Sequence, residues 1–279
     1  MPAALQDIGR PILLLGAGRM GTAMLEGWLK AGLPPERILV SDPAPSAPAA
    51  RLAGEHGIAL DPPAEDLARA GVLVAAVKPQ VMDEALAPLS GLFARPPLVL
   101  SIAAGRTIAS FKAVFGGNTP VIRAMPNTPA AIGRGITAFA ASAEASAEQK
   151  ELARALLAAL GDVVEVEEEG LIDAVTALSG SGPAYVFLLA ECMAAAGERL
   201  GLPAALARRL ARATVSGAGA LLDQAQEDAP ALRRAVTSPG GTTAAALEIL
   251  MADKGLCELM ERAMTAAAER SRQLARSED

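Results

Sequence analysis

The fold of this chain is decided by the segment Ile12-Leu13-Leu14-Leu15-Gly16-Ala17-Gly18-Arg19-Met20-Gly21. Four apolar residues predict a short buried strand, and an amphipathic run from Met20 to Lys30 predicts a helix. The glycines between them have the spacing G-x-G-x-x-G. Gly16 permits a tight turn, Gly18 lets a ligand approach the backbone, and Gly21 lets the helix pack on the strand. The segment therefore predicts a loop that holds a dinucleotide pyrophosphate at a helix start; a tight turn without a ligand is the alternative.

The second predicted strand ends in Ser41 and Asp42, and Asp42 lies 21 residues beyond Gly21. A carboxylate at this distance is expected to accept hydrogen bonds from a ribose 2'-hydroxyl and to repel a 2'-phosphate. Asp42 thus favours NADH, although Arg19 or Ser41 could still tolerate NADPH. Because Pro43 follows, Asp42 could also merely start a turn.

Two further predicted strands end in small or basic residues. Val72–Val77 runs into Lys78 and Pro79, and Leu98–Ile102 runs into Ala103, Ala104 and Gly105. Ligands of open α/β sheets lie beyond the carboxyl ends of the strands, so a dinucleotide is expected beside Ala76, Val77, Lys78, Pro79 and Ala104. Simple strand-end turns remain open as an explanation, and Lys78 either pairs with phosphate or is a solvated charge.

The first half of the chain alternates strand-like and helical runs, which predicts a doubly wound, mainly parallel sheet of the Rossmann type. Predicted strands are Ile12–Leu15, Arg37–Ser41, Val72–Val77, Leu98–Ile102, Val121–Ala124, Ile136–Ala140 and Val163–Val166; helices are expected at Met20–Lys30 and Glu148–Leu160. The only histidine, His56, is expected in a loop or at a cap.

Beyond residue 168 the pattern becomes helical throughout. Helices are predicted at Ala184–Leu200, Ala204–Asp223, Ala229–Val236, Thr243–Met251 and Leu256–Leu274. The chain therefore divides into a dinucleotide-binding domain, 1–168, and an all-α domain for dimerisation and substrate binding, 169–279. Amphipathic helices such as Leu256–Leu274 are expected to bury one face against another subunit.

Composition and charge exclude several classes of protein. The 279 residues are 52% hydrophobic and 20% charged, which argues against disorder, and a net charge of −6 gives no field to attract nucleic acid. Cys192 and Cys257 are far apart, so neither a disulfide framework nor a metal site is expected, and a reducing cytoplasm fits. The apolar stretch 174–190 is interrupted by two glycines and a proline, so no membrane insertion is expected.

The helical half contains two hydroxyl-rich helix starts. Ser181 is a predicted N-cap before Gly182 and Pro183, and the turn from Ser238 to Thr243 is rich in glycine. Backbone N–H groups at such starts can hold a carboxylate without a basic side chain. Both segments could equally be caps only.

Four segments carry a resemblance to a known family. They are Ala76-Val77-Lys78-Pro79, Arg123-Ala124-Met125-Pro126-Asn127-Thr128-Pro129, Leu178-Ser179-Gly180-Ser181-Gly182-Pro183-Ala184-Tyr185 and Thr237-Ser238-Pro239-Gly240-Gly241-Thr242-Thr243. In that order, together with the glycine loop, the chain closely resembles pyrroline-5-carboxylate reductase over nearly its whole length. Enzymes of that family catalyse the last step of proline biosynthesis, in which NADPH or NADH reduces a cyclic imine to L-proline.

The resemblance implies roles for individual residues. The turn containing Ser238, Gly240, Gly241, Thr242 and Thr243 is expected to hold the substrate carboxylate, with Ser181 nearby and the Thr243 hydroxyl beside the ring nitrogen. Met125 and Asn127 match a loop beside the nicotinamide, and Arg123 is expected to support that loop. The resemblance also implies interleaved dimers, which in this family often assemble into decamers.

The acidic and basic side chains of the second half suit an imine substrate better than an alcohol substrate. Oxidation of an alcohol needs a group to take the hydroxyl proton, and Tyr185 is the evident candidate in the second half, although it could simply pack near the site. A cyclic imine arrives protonated, so positioning suffices. Asp173 and Glu191 are further carboxylates whose geometry the sequence does not define.

Two alternatives remain at this stage. A β-hydroxyacid dehydrogenase shares the glycine loop but should carry a catalytic lysine on a helix of the second half, where only Lys254 occurs beyond residue 151, in a linking segment. A nucleotide sensor would keep the loop but would not need the turn from Ser238 to Thr243.

Overall fold

A computed structural model describes residue 5 and residues 8 to 276. Its main feature is a sheet of eight strands in the order β3-β2-β1-β4-β5-β6-β7-β8. The strands are β1 (Ile12–Leu15), β2 (Ile38–Ser41), β3 (Ala59–Leu60), β4 (Val72–Ala75), β5 (Leu98–Ser101), β6 (Val121–Met125), β7 (Gly135–Ala141) and β8 (Gly161–Glu165).

Helices cover the sheet and make up the second half of the chain. They are α1 (Arg19–Lys30), α2 (Ala47–His56), α3 (Ala64–Leu67), α4 (Met82–Leu86), α5 (Ile108–Phe115), α6 (Ala147–Leu157), α7 (Leu171–Val175), α8 (Gly182–Arg199), α9 (Ala204–Gln224), α10 (Ala229–Ala235), α11 (Thr242–Leu250) and α12 (Leu256–Arg276). A π-helical turn, Thr176–Gly180, joins α7 to α8.

The central strands are buried on both faces because they are runs of Val, Ile and Leu. Strands β1, β4 and β5 pair in parallel, and the core lies on both sides of them. Trp28 anchors one side, fully buried, and its indole N–H donates to the Leu156 carbonyl at 2.9 Å. Phe111 is fully buried on the other side. The predicted doubly wound Rossmann sheet is confirmed.

The strand predictions hold for the long apolar runs, with ends shifted by one or two residues. The two-residue strand β3 was missed because it carries no period-two pattern, and helices α2 to α5 were not individually predicted. His56 is the last residue of α2, before the left-handed Gly57. Strand β7 runs antiparallel to β6 because the nine residues between them are too few for a crossover helix.

By contacts the chain separates into two compact units. One unit extends to Gly180 and includes the segment from Ala267, and the other is Ser181–Ala266. This division lies after the position predicted from the sequence, 168/169, because Ile172 and Asp173 are buried within the first unit. The last strand therefore ends before the boundary between the two compact units.

The elements of the second unit are all helices in the part that the structure describes, and few of its residues are buried. Gly197 lets α8 approach α9, since a Cβ there would lie 3.4 Å from the Ala207 Cβ. Many apolar side chains are exposed; on α8 they include Val186, Phe187, Leu188, Leu189 and Met193. The helical run Leu171–Arg199 is long and apolar enough to cross a membrane, by length and composition alone.

Candidate functional site

The three glycines of the loop after β1 have different structural roles. Gly16 has a φ of +97°, and a Cβ there would lie 2.7 Å from the Val77 side chain. A Cβ on Gly21 would lie 2.2 Å from the Gly16 carbonyl oxygen. A Cβ on Gly18 would meet nothing within 4 Å. Gly16 and Gly21 are therefore required by packing, whereas Gly18 borders open space that a pyrophosphate can occupy.

Side-chain hydrogen bonds stabilise the glycine loop, and the start of the helix that follows it is uncapped. The Thr22 hydroxyl lies 2.7 Å from the Gly18 carbonyl oxygen and 2.9 Å from the Ser46 hydroxyl. Helix α1 begins after Gly18 with neither a side-chain cap nor an acidic residue in its first turn. Its N–H groups and positive dipole thus suit a phosphate.

Asp42 is tied to the loop by its carboxylate. One carboxylate oxygen accepts a hydrogen bond from the Ala17 N–H at 2.6 Å, and the other accepts from the Ala44 N–H at 2.9 Å. The second bond is the turn anticipated as an alternative role for Asp42. Because a carboxylate oxygen can accept more than one bond, the same group can also receive a ribose hydroxyl.

A second acid, Asp61, supports this strand end. One of its carboxylate oxygens accepts from the Asp42 N–H at 2.9 Å and lies 3.3 Å from the Ser41 hydroxyl. Sequence reasoning missed Asp61 because it follows the two-residue strand β3, which gave no signal. The parallel pairing of β2 with β3 brings it beside Asp42.

The glycine loop and the strand ends enclose a cleft of about 500 Å³. Predicted residues that line it are Gly16, Gly18, Ser41, Asp42, Ala76, Val77 and Lys78; unpredicted ones include Leu15, Pro43, Val81, Glu84, Ala85 and Pro88. The other predicted cofactor residues do not line this cleft; they are Ala17, Arg19, Met20, Gly21, Pro79, Ala104, Met125 and Asn127. The cleft brings the predicted pyrophosphate loop and the predicted ribose carboxylate of Asp42 to one place.

Asn127 joins the loop after β6 to the π-helical turn. Its side-chain amide donates to the Ser179 carbonyl at 3.1 Å, and its amide oxygen accepts from the Ile136 N–H at 3.0 Å. A Cβ on Gly180 would lie 2.7 Å from the Met125 methyl group. Asn127 therefore holds the Met125 loop against the π-helical turn, a feature often found at functional sites.

Arg123, on β6 before this loop, is buried and takes part in a cluster of ion pairs. Its guanidinium is 3.0 Å from Glu169 and 3.7 Å from Asp173, and Asp173 accepts a 2.6 Å bond from the Ser271 hydroxyl. Glu169 also accepts from the Ile108 N–H at 2.8 Å, at the start of α5. These contacts join β6 to α7 and α7 to α12, so support of the Met125 loop by Arg123 stays a prediction. No sequence pattern pointed to the pairings of Glu169 and Ser271.

In the second unit, the predicted carboxylate turn has an open helix start. Gly240 has a φ of +70°, the Gly241 N–H donates to the Ser238 carbonyl at 3.0 Å, and α11 begins at Thr242 without a side-chain cap. Ser181 differs from its prediction. It makes no capping bond because the π-helical turn leads directly into α8. Within the described residues, no group of His, Cys, Asp and Glu side chains has the arrangement of a metal site.

The parallel sheet, the glycine loop and the cleft define a nicotinamide-dinucleotide oxidoreductase. Residues 11–105 match the family described as NADP oxidoreductase, coenzyme F420-dependent, and residues 169–274 match the pyrroline-5-carboxylate reductase dimerisation family. A pyrroline-5-carboxylate reductase of Pseudomonas aeruginosa is 43% identical over 95% of this chain and 96% of its own. The chain belongs to the pyrroline-5-carboxylate reductase family, enzymes of proline biosynthesis, so the family and function predicted from the sequence are confirmed.

Solved structures agree with this assignment. A pyrroline-5-carboxylate reductase from Coxiella burnetii has a TM-score of 0.86 and 33% identity, covering 95% of this chain and 98% of its own. The Plasmodium falciparum pyrroline carboxylate reductase, solved with NADP bound, has a TM-score of 0.79 and 26% identity, covering 96% and 98%. A nicotinamide cofactor, a small-molecule substrate and self-association follow for this chain.

Proposed function

We propose that this chain reduces 1-pyrroline-5-carboxylate to L-proline with a nicotinamide cofactor held in the cleft that Gly18 lines. The observation that carries the proposal is the open space over Gly18, at the start of an uncapped helix, in a chain of this family. We assign cofactor binding to residues 1–168 and dimerisation and substrate binding to residues 169–279.

The chain's own residues divide the work of cofactor binding. The N–H groups at the start of α1 hold the pyrophosphate, and Lys78, at the end of the strand next to β1, adds a positive charge. Met125 and Asn127 support the nicotinamide end. When bound, the reduced nicotinamide supplies the hydride that adds to the imine carbon.

The substrate carboxylate is assigned to the turn from Ser238 to Thr243. The start of α11 lacks a side-chain cap, so its N–H groups are available to a carboxylate. The Thr243 hydroxyl is assigned to the ring nitrogen, and Ser181 to the edge of this site. The imine enters already protonated, so these residues orient the ring and do not need to supply a strong acid.

Cofactor preference is proposed to lie with NADH. Asp42 lines the cleft with a carboxylate that already accepts two backbone bonds, and it opposes a 2'-phosphate by charge. Arg19 is exposed at the start of α1 and is the residue that we propose could offset this charge.

Self-association is proposed to cover the exposed apolar side chains of α8. A dimer through the helical half would bury Phe187 and Leu188, and assembly of such dimers would give a decamer. We place the enzyme in the cytoplasm, with Cys192 and Cys257 as free thiols.

A turnover assay tests the proposed function. Purified protein is mixed with 1-pyrroline-5-carboxylate and either NADH or NADPH, and the absorbance of the reduced nicotinamide is followed while proline is measured as product. Proline formation with either cofactor is expected. Binding of a cofactor without turnover would favour a nucleotide sensor, and turnover only with a β-hydroxyacid and the oxidised cofactor would favour the related dehydrogenases.

A further inference from the structure

We propose that Asp61 is a positioning residue that makes the β2 end of the cleft select an unphosphorylated ribose. The inference rests on the proposed function, since it concerns which nicotinamide dinucleotide the reductase takes. Asp61 does not itself line the cleft; it acts through Ser41 and Asp42, which do.

The first step is the position of the Asp61 carboxylate. It receives the Asp42 backbone N–H at 2.9 Å, which sets the direction in which the end of β2 leaves the sheet. The Asp61 N–H in turn donates to the Val40 carbonyl at 2.8 Å. Asp61 therefore both accepts a hydrogen bond from the end of β2 and donates one to it.

The second step concerns the Ser41 hydroxyl. Its oxygen is 3.3 Å from the Asp61 carboxylate, which is an acceptor only, so the hydroxyl proton of Ser41 points towards Asp61. The Ser41 oxygen then offers only lone pairs to a ligand. The Asp42 carboxylate likewise offers only acceptors. The two side chains match the hydroxyl donors of a ribose and do not match a phosphate, which needs donors.

The third step is charge. Asp42 and Asp61 are both negative and lie at the same strand end, so their repulsion adds against a 2'-phosphate. Lys78 is the basic residue in the cleft lining, and it follows β4, on the other side of β1 from β2. Its charge serves the pyrophosphate, which both dinucleotides share.

The backbone at Asp61 constrains the choice of test. Its φ of +44° lies in the left-handed region, which Asn and Gly tolerate better than other residues. Asp61→Asn keeps an oxygen that accepts from the Asp42 N–H and the Ser41 hydroxyl, and it removes the charge. Asp61→Gly removes the side chain without backbone strain.

The experiment is calorimetric titration of the full-length protein with NAD+ and with NADP+. Asp162→Asn is the matched control, because it removes the same charge at an exposed position on β8, the opposite edge of the sheet. For Asp61→Asn the ratio of the two dissociation constants is expected to move about fivefold to tenfold towards NADP+, the change expected for one nearby screened charge. Asp61→Gly should shift it in the same direction, and Asp162→Asn should leave it unchanged.

Salt separates charge from a merely structural effect. The preference of the wild-type protein for NAD+ should shrink between low and high salt, and the shrinkage should be smaller in Asp61→Asn. An unchanged ratio in both Asp61 variants, or equal weakening of both dinucleotides, would overturn the inference. A shifted ratio in a protein that does not reduce the imine would overturn only the proposed function.

Discussion

The carboxylate of Asp42 accepts a 2.6 Å hydrogen bond from the Ala17 backbone N–H, so the end of β2 is fastened to the glycine loop after β1. The acid therefore has two roles. It shapes the loop that receives the pyrophosphate, and it lines the cleft at the expected ribose position.

Replacement of Asp42 should consequently alter more than cofactor preference. Asp42→Ala loses the bonds to Ala17 and Ala44, so binding of both dinucleotides should weaken, that of NAD+ by about tenfold, the equivalent of roughly one to two hydrogen bonds. Because the charge is also removed, NADPH should gain relative to NADH. Calorimetric titration with both dinucleotides measures the two effects. Asp66→Ala, at an exposed ion pair with Arg69, is the control; tighter absolute binding of NADP+ by Asp42→Ala would contradict the loop-fastening role.

The glycines of the loop should respond differently to the same substitution. Gly18→Ala places a methyl group in open space at an ordinary φ of −70°, so the free energy of unfolding should change by less than about 0.5 kcal/mol while dinucleotide binding falls about tenfold or more. Gly21→Ala forces a Cβ against the Gly16 carbonyl and should lower stability by about 1–3 kcal/mol. Urea unfolding and calorimetric titration test this pair. Equal losses of stability in the two variants would contradict the assignment.

Replacement of Arg123 or Glu169 should lower the free energy of unfolding. Arg123→Met leaves the carboxylates of Glu169 and Asp173 without their shared cation and should cost about 3–5 kcal/mol of unfolding free energy. Glu169→Gln should cost less, because Glu169 is partly exposed and glutamine still accepts from the Ile108 N–H. Glu26→Gln, in an exposed pair with Lys30, should cost less than about 0.5 kcal/mol. Urea unfolding curves compare the three, and a cost for Arg123→Met no larger than that of Glu26→Gln would disprove the cluster's role.

Thr243 should affect the substrate and leave the cofactor untouched. Thr243→Val keeps the shape of the side chain but loses the hydroxyl assigned to the ring nitrogen, so kcat/KM for 1-pyrroline-5-carboxylate should fall about tenfold or more while the dissociation constant for the dinucleotide stays the same. Thr243→Ser should recover most of the loss. Full activity of Thr243→Val with unchanged substrate affinity would remove Thr243 from the mechanism.

The exposed apolar side chains of α8 should control assembly. Phe187 is 68% exposed in the single chain, and Phe187→Glu would place a charge where a second copy is expected to pack. Sedimentation at micromolar concentration should show a dimer or larger for the wild type and a smaller species for the variant. Ala109→Glu, an exposed position on α5, is the matched control. A wild-type monomer at that concentration would refute the interface.

The sequence was most informative where structure depends on neighbours along the chain. The strand β1, the turn at Gly16 and the helix α1 follow from apolar periodicity and from a backbone angle that favours glycine, and both are local properties. Strand β3 escaped prediction because two residues cannot show a period. The π-helical turn before Ser181 also escaped, since nothing in its sequence distinguishes it from an ordinary helix start.

By itself, then, the sequence determined the Rossmann-type first half, the helical second half, the pyrophosphate loop and the family. Only the tertiary structure decided which side chains meet: Asp61 with Ser41 and Asp42, Asn127 with Ser179, and Arg123 with Glu169. The physical reason is that these partners are 19 to 52 residues apart and come together through the order of the strands and the packing of helices on the sheet. Local propensity specifies each element, but the contacts between elements depend on how the whole sheet is assembled.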